Sequence, residues 1–136
     1  FRIIVVTNQP DVATGVQQQD VVEAMHAHLI DTLEIDEIRV CFHVDSDDCS
    51  CRKPRPGMLL DAVQVWGIDI QKSYMVGDRW RDIEAGKAIG CRTIMLRNLY
   101  DEQQAKDPDA VVDSLLEATK FILNDRQSDS KSEIRG

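Results

Sequence analysis

Three cysteines and one histidine fall within eleven positions, Cys41 to Cys51, with His43 and Cys49 between them. Thiolate sulfurs and an imidazole nitrogen are the donors that close a tetrahedral zinc site. The paired spacings Cys-x-His and Cys-x-Cys let two short knuckles of backbone grip one ion. With four protein ligands no coordination position remains for water, so such an ion shapes a loop and performs no chemistry itself. The alternative for four cysteines is two disulfides, but the clustering beside His43 favours metal and a reducing compartment, hence the cytoplasm. The run leads straight into Arg52-Lys53-Pro54. Lys serves phosphate as a point charge and Arg as a bidentate fork. Without such a staple the pair would read as solvated surface charge.

Two further clusters carry chemistry. Val6-Thr7-Asn8-Gln9 follows an apolar run, and a hydroxyl with backbone N–H groups at a strand tip can hold a phosphate oxygen. The same residues also make ordinary loops. Gly77-Asp78-Arg79-Trp80-Arg81-Asp82 places two carboxylates four apart at a helix start. A hard carboxylate there suits Mg²⁺, which takes one or two protein carboxylates plus phosphate and water. The competing reading is a pair of acids complementing the helix dipole. Cys91 reads as a small buried hydrophobe, His26 and His28 face different ways on a helix, and Asp45, Asp47 and Asp48 read as a solvated loop tip.

The elements that must position these groups follow from periodicity. Strands are expected at 2–7, 37–42, 74–76 and 92–96, from short β-branched runs ended by turn signals. Helices are expected from Asp20, with Glu23 completing a capping box, then from Pro56-Gly57 to Gly67, over 80–89 closed by Gly90, and over 111–123. The alternation predicts an α/β fold with a parallel sheet covered by helices on both faces. Ligand sites of such sheets lie beyond the carboxyl ends of the strands. Thr7-Asn8, the Cys/His loop and Asp78 each follow a strand and are therefore expected on one edge. The domain is expected to span 1–123, with a disordered polar tail over 124–136.

Composition narrows the function. The 136 residues suit one small domain, and 43% apolar content is ordinary for one with a core. A formal charge of −8 argues against nucleic acid or anionic membrane as partner, while leaving room for a small anion at a local basic site. No apolar run is long enough to span a bilayer. A monomer is expected.

Taken together, Val-Val-Thr-Asn-Gln, Cys-x-His-x5-Cys-x-Cys-Arg-Lys-Pro-x-Pro-Gly-Met and Val-Gly-Asp-Arg-x-x-Asp-x-x-Ala-Gly resemble the haloacid dehalogenase superfamily. The resemblance runs from residue 1 to about residue 96. It is closest to its zinc-containing small phosphatases, which act on D-glycero-D-manno-heptose 1,7-bisphosphate or on histidinol phosphate. The resemblance implies a Rossmann-like fold and a Mg²⁺-dependent phosphatase acting on a small phosphorylated metabolite through an aspartyl-phosphate. It implies that Thr7 holds the phosphoryl group, with Asn8 and Gln9 lining the pocket. Lys53 would stabilise the transferring phosphoryl group and Arg52 would recognise substrate. Asp78 would hold Mg²⁺, with Asp82 as the second acid and Arg79 at the neighbouring metal or substrate position. Cys41, His43, Cys49 and Cys51 would hold a structural Zn²⁺.

Two departures stand out. Pro10-Asp11 replaces small residues that often follow the second motif. The family's first motif, an Asp-x-Asp after an apolar strand, has no counterpart in these residues, and that strand is central to the family's sheet. The expectation is a fragment that is inactive as it stands. A catalytically silent, metal-stapled domain binding phosphorylated ligands or partner chains is the alternative of another class.

Overall fold

A computed structural model describes residues 1–135, with side chains as far as residue 131. The chain forms two compact units, Phe1–Ile68 and Asp69 onward. No helix among the described residues is long and apolar enough to cross a membrane.

The first unit contains β1 (Ile4–Asn8), the short α1 (Pro10–Ala13), α2 (Gln19–Leu33), β2 (Glu37–Cys41) and α3 (Gly57–Trp66). Strands β1 and β2 pair in parallel, in a register running from Ile4 opposite Glu37 to Asn8 opposite Cys41. The ladder is closed at the far end by the Gln9 N–H donating to the Cys41 carbonyl at 2.7 Å. The two strands therefore stop at the same level, which puts Asn8 beside Cys41. Helix α3 buries Met58, Leu59 and Ala62 and ends at Gly67, as its spacing predicts.

Helix α2 differs in detail from the sequence expectation. Its N-cap residue is Gln18, so Asp20 already lies inside the first turn and cannot cap. The Asp20 carboxylate instead accepts from the Val21 N–H, and Glu23 accepts from the Gln19 amide at 2.8 Å. Of the apolar residues at helical spacing, Val22 is buried, while Val21, Met25, Leu29 and Leu33 are exposed. Trp66 is half-buried, with its indole N–H donating to Glu37 and the Arg2 guanidinium over its ring.

The second unit holds β3 (Tyr74–Gly77), α4 (Trp80–Ile89), β4 (Arg92–Leu96), β5 (Ala110–Val112) and α5 (Leu115–Arg135). Its sheet is parallel throughout, in the order β3-β4-β5. Ile83, Ala85, Ile94 and Thr93 are completely buried where α4 lies on β3 and β4. The near-continuous apolar character of these strands matches a parallel sheet. The α/β fold with parallel strands and intervening helices is thus the one expected.

Two features of this unit were not foreseen. Residues 110–112 form a strand, not the first turn of the last helix. Their β-branched valines pair with β4, and Asp109 anchors the entry by accepting from the Thr93 N–H at 2.6 Å. The helix starts after Ser114, whose hydroxyl accepts from the Glu117 N–H at 3.1 Å, a standard N-terminal cap. The tail expected to be disordered continues α5 as far as Arg135, while Gly136 lies outside the described residues. Polar residues there have partners: Asp125 accepts from the Tyr74 hydroxyl and from Arg92, and Asp129 lies 3.7 Å from Arg92. Composition alone does not reveal such anchors.

The core of the second unit supports one direct test. Truncating the fully buried Ile83 to Ala removes three carbons from a packed site and is expected to cost about 2–5 kcal/mol. The expected readout is a lower midpoint of urea unfolding. An unchanged midpoint would show that α4 does not seat Ile83 on the sheet.

Candidate active site

The Cys/His loop brings its four side chains together. The ligand atoms of Cys41, His43, Cys49 and Cys51 all lie within 4.8 Å of one another. Cys41 Sγ is 3.6 Å from Cys49 Sγ and 3.5 Å from His43 Nδ1, and Cys51 Sγ is 3.4 Å from Cys49 Sγ and 3.3 Å from His43 Nδ1. The remaining sulfur pair, Cys41 and Cys51, is closer at 2.9 Å. A tetrahedron with metal–ligand bonds of 2.0–2.3 Å has edges of about 3.3–3.8 Å. The cysteines are free, so the sulfurs are not disulfide-linked.

Acidity supports the same conclusion. Burial pushes the Cys51 thiol up to about 12, and hydrogen bonding to Cys41 and Cys49 adds to the rise. Burial also raises Cys41. At Cys49 burial works against ionisation, but donation from Cys51 and the Arg52 backbone bring the thiol down to about 7. Three crowded sulfurs share their protons because together they cannot all ionise. A divalent cation would replace those protons, and binding would release them to solvent. The donor set fits a metal ion.

The loop is tied down around the cluster. Arg52 donates through Nε to Asp45 at 2.7 Å and through Nη1 to the His43 carbonyl at 3.3 Å. Arg55 pairs with Asp48 and donates to the Cys49 carbonyl at 2.7 Å. Asp47 accepts from the Val44 N–H at 2.8 Å. The three aspartates are exposed, as expected of a loop tip, but each bridges the loop. Gly57, at the start of α3, donates to the Ser50 carbonyl at 3.0 Å, so close that a Cβ there would lie 2.3 Å from the same oxygen.

Lys53 is the buried cation of this unit, only 7% exposed. Asn8 holds it from both sides. The Asn8 side-chain oxygen accepts from the Lys53 N–H at 3.1 Å, and its amide nitrogen donates to the Lys53 carbonyl at 3.2 Å. The ammonium reaches β1 at mid-strand, where Nζ donates to the Val6 carbonyl at 2.9 Å. Thr7 follows Val6 directly, and its hydroxyl accepts from the Gln9 amide at 3.2 Å. Thr7, Asn8, Gln9 and Lys53 therefore meet at one strand end. Sequence reading placed Asn8 in the pocket wall; the structure gives it the further work of fixing the Lys53 backbone.

In the second unit Asp78 leaves the tip of β3 and Asp82 lies in the first turn of α4. Asp82 is 6% exposed, and its carboxylate accepts from the Arg79 N–H at 3.1 Å. Gly77 permits this approach, since a Cβ on it would meet Asp82 at 2.3 Å. Asp82 thus combines a helix-capping role with its candidacy as a second acid. A half-buried carboxylate at Asp78 with a second acid one turn on suits a hard cation. Sequence reasoning missed what surrounds Asp78. Tyr100 donates its hydroxyl to Asp78 Oδ2 at 2.9 Å, Asn98 donates to the Asp78 carbonyl, and Glu102 pairs with Arg79 at 2.9 Å. These residues follow β4, and nothing in their local pattern announces the contact. Cys91 is buried as expected, and burial pushes its thiol up to about 11.

Replacing Asn8 with Ala leaves the Lys53 N–H and carbonyl without their partners, at an expected cost of about 1–3 kcal/mol. Amide exchange at Lys53 should accelerate. Unchanged exchange at that position would mean that Asn8 does not hold the loop.

The family described as HAD-hydrolase-like matches residues 50–118. The D-glycero-beta-D-manno-heptose-1,7-bisphosphate 7-phosphatase of Pseudomonas aeruginosa is 37% identical over 102 residues, covering 71% of this chain and 57% of that protein. Its counterpart in Pasteurella multocida is 33% identical over 136 residues, covering 90% of this chain and 74% of that protein. The chain thus spans little more than half the length of the first relative. Among solved structures, D,D-heptose 1.7-bisphosphate phosphatase from B. bronchiseptica, complexed with magnesium and phosphate, superposes with a TM-score of 0.80 at 26% identity. That likeness covers 91% of this chain and 75% of that one.

Proposed function

The chain belongs to the HAD-hydrolase-like family, and on that premise we propose that it carries the phosphate-holding and metal-holding parts of a Mg²⁺-dependent phosphatase. The substrate class is a small phosphorylated sugar, with D-glycero-D-manno-heptose 1,7-bisphosphate as the first choice, in keeping with its relatives. The cytoplasm is the proposed location and the monomer the proposed state. The observation that carries the reading is Lys53, a buried ammonium fastened by Asn8 beside Thr7 at the end of β1.

Phosphoryl transfer asks little covalent chemistry of the protein beyond placement and charge. Lys53 supplies a preorganised positive charge whose backbone need not reorganise as negative charge develops on the phosphoryl oxygens. The Thr7 hydroxyl is the donor for a phosphoryl oxygen, and Asn8 and Gln9 line that pocket. Arg52 retains guanidinium donors beyond those used by Asp45 and His43, and these serve substrate recognition. Asp78, with Asp82, is proposed to hold Mg²⁺, which when bound neutralises phosphoryl charge. Arg79, next to Asp78 in sequence, is proposed for the neighbouring metal or substrate position, with Glu102 holding its guanidinium off the Asp78 carboxylate. Zinc is the proposed ion of Cys41, His43, Cys49 and Cys51, because three thiolates and one imidazole are its structural donor set. The nucleophilic aspartate belongs to an Asp-x-Asp strand that is not among these residues.

The test supplies an Asp-x-Asp strand segment ahead of Phe1 and measures phosphate release from the heptose bisphosphate and from histidinol phosphate. Turnover of the heptose bisphosphate is expected to dominate. Lys53→Met, which keeps the aliphatic stem, should lower kcat by on the order of a hundredfold or more. Preference for histidinol phosphate would replace the substrate reading. Turnover unchanged by Lys53→Met would remove Lys53 from the mechanism, and no turnover of either substrate would favour the ligand-binding domain.

A further inference from the structure

We infer that Tyr100 is a positioning residue of the magnesium site, acting with Asn98 and Glu102 to present the Asp78 carboxylate to the cation. The inference rests on the proposed assignment of Asp78 as a Mg²⁺ ligand and concerns only residues of the second unit.

The segment after β4 makes the contacts that matter here. Asn98 lies two residues beyond Leu96, the last residue of the strand. Its side-chain amide donates to the Asp78 carbonyl, and its side-chain oxygen accepts from the Tyr100 N–H at 2.9 Å. One asparagine thus binds the backbone on both sides and turns the chain toward the tip of β3. Tyr100 then reaches Asp78, donating to Oδ2 at 2.9 Å.

A phenol is a well-chosen donor for this task. It is neutral, so it occupies one carboxylate oxygen without cancelling the charge. A Lys or Arg in its place would compensate Asp78 and oppose a cation. The second oxygen remains for metal, and the torsion of the carboxylate is restrained.

The nearest natural competitor is Arg79, adjacent to Asp78 in sequence. Its guanidinium is diverted. It lies 4.0 Å over the Tyr100 ring and donates to Glu102 Oε2 at 2.9 Å. The other Glu102 oxygen is buried with no hydrogen-bond partner, so the carboxylate is committed to Arg79. Tyr100 therefore acts twice: its hydroxyl orients Asp78, and its face helps to keep Arg79 occupied elsewhere. Outer-sphere partners of this kind typically change metal affinity tenfold to a hundredfold.

The experiment uses Mn²⁺ as the probe, followed by electron paramagnetic resonance on the full 136-residue chain. The Cys/His cluster is loaded with zinc first, so that Mn²⁺ has no access to the sulfurs. Tyr100→Phe removes the hydroxyl and keeps the ring under Arg79, and is expected to weaken Mn²⁺ binding roughly tenfold to a hundredfold at an unchanged melting temperature. Tyr100→Leu removes both contacts and should weaken it at least as much. Asp78→Asn should abolish binding. If Asp78→Asn abolishes binding but Tyr100→Phe binds as tightly as wild type, or more tightly, the positioning role is overturned and the Asp78 assignment stands. If Asp78→Asn binds like wild type, or wild type does not bind, the assignment fails and the inference falls with it.

Discussion

Three sulfurs and one imidazole nitrogen crowded into a space a few ångströms across form the constraint on which the first unit rests. Ionised together without a cation they would repel, and protonated they would be three weakly bonded thiols. The zinc ion proposed for these ligands would convert that crowding into attraction and fix the loop from both ends. Cys41 is the last residue of β2, so the cluster is built onto the sheet. The register places Asn8 next to it, and Asn8 in turn grips the backbone of Lys53, two residues beyond Cys51. The Cys/His cluster, strand ends and buried ammonium are therefore links in one short chain of contacts. The exposed pairs of Arg52 with Asp45 and Arg55 with Asp48 contribute less, since surface ion pairs are worth little. Their use is to choose a loop conformation.

The second unit solves a different problem. On the proposed assignment of Asp78, its carboxylate must be held for a hard cation without being neutralised. Gly77 lets Asp82 fold back onto the Arg79 backbone. A neutral phenol and an asparagine fix Asp78, and Glu102 takes the adjacent arginine. The common theme of the two units is charge kept available by hydrogen bonds from uncharged partners: Asn8 for Lys53, Tyr100 for Asp78.

The sequence was informative wherever local spacing carries the physics. Cys-x-His and Cys-x-Cys had to converge once the loop closed, and Gly67 and Gly90 ended α3 and α4 where periodicity said they would. The β-branched runs became parallel strands, and the motifs at Thr7, Lys53 and Asp78 identified the family before any coordinates. What sequence reading missed depends on pairing across distance. Residues 110–112 are a strand because β4 offers them a ladder, not because their own pattern demands it. The polar stretch after residue 123 is helical because Asp125 meets Tyr74 and Arg92 from elements some fifty and thirty residues away. Tyr100 sits in an unremarkable Asn-Leu-Tyr-Asp run and gains its meaning only when Asn98 turns it toward β3. The Asp20 cap failed for a local reason, since the helix begins two residues too early for it.

The account stands most directly on the identity of the atoms around one ion. X-ray absorption at the zinc edge, on chain purified with zinc and freed of loosely bound metal, reads that shell. The account predicts three sulfur scatterers at about 2.3 Å and one nitrogen at about 2.0–2.1 Å. A shell of oxygen and nitrogen alone, or a preparation whose cysteines are oxidised to disulfides and carry no ion, would contradict it.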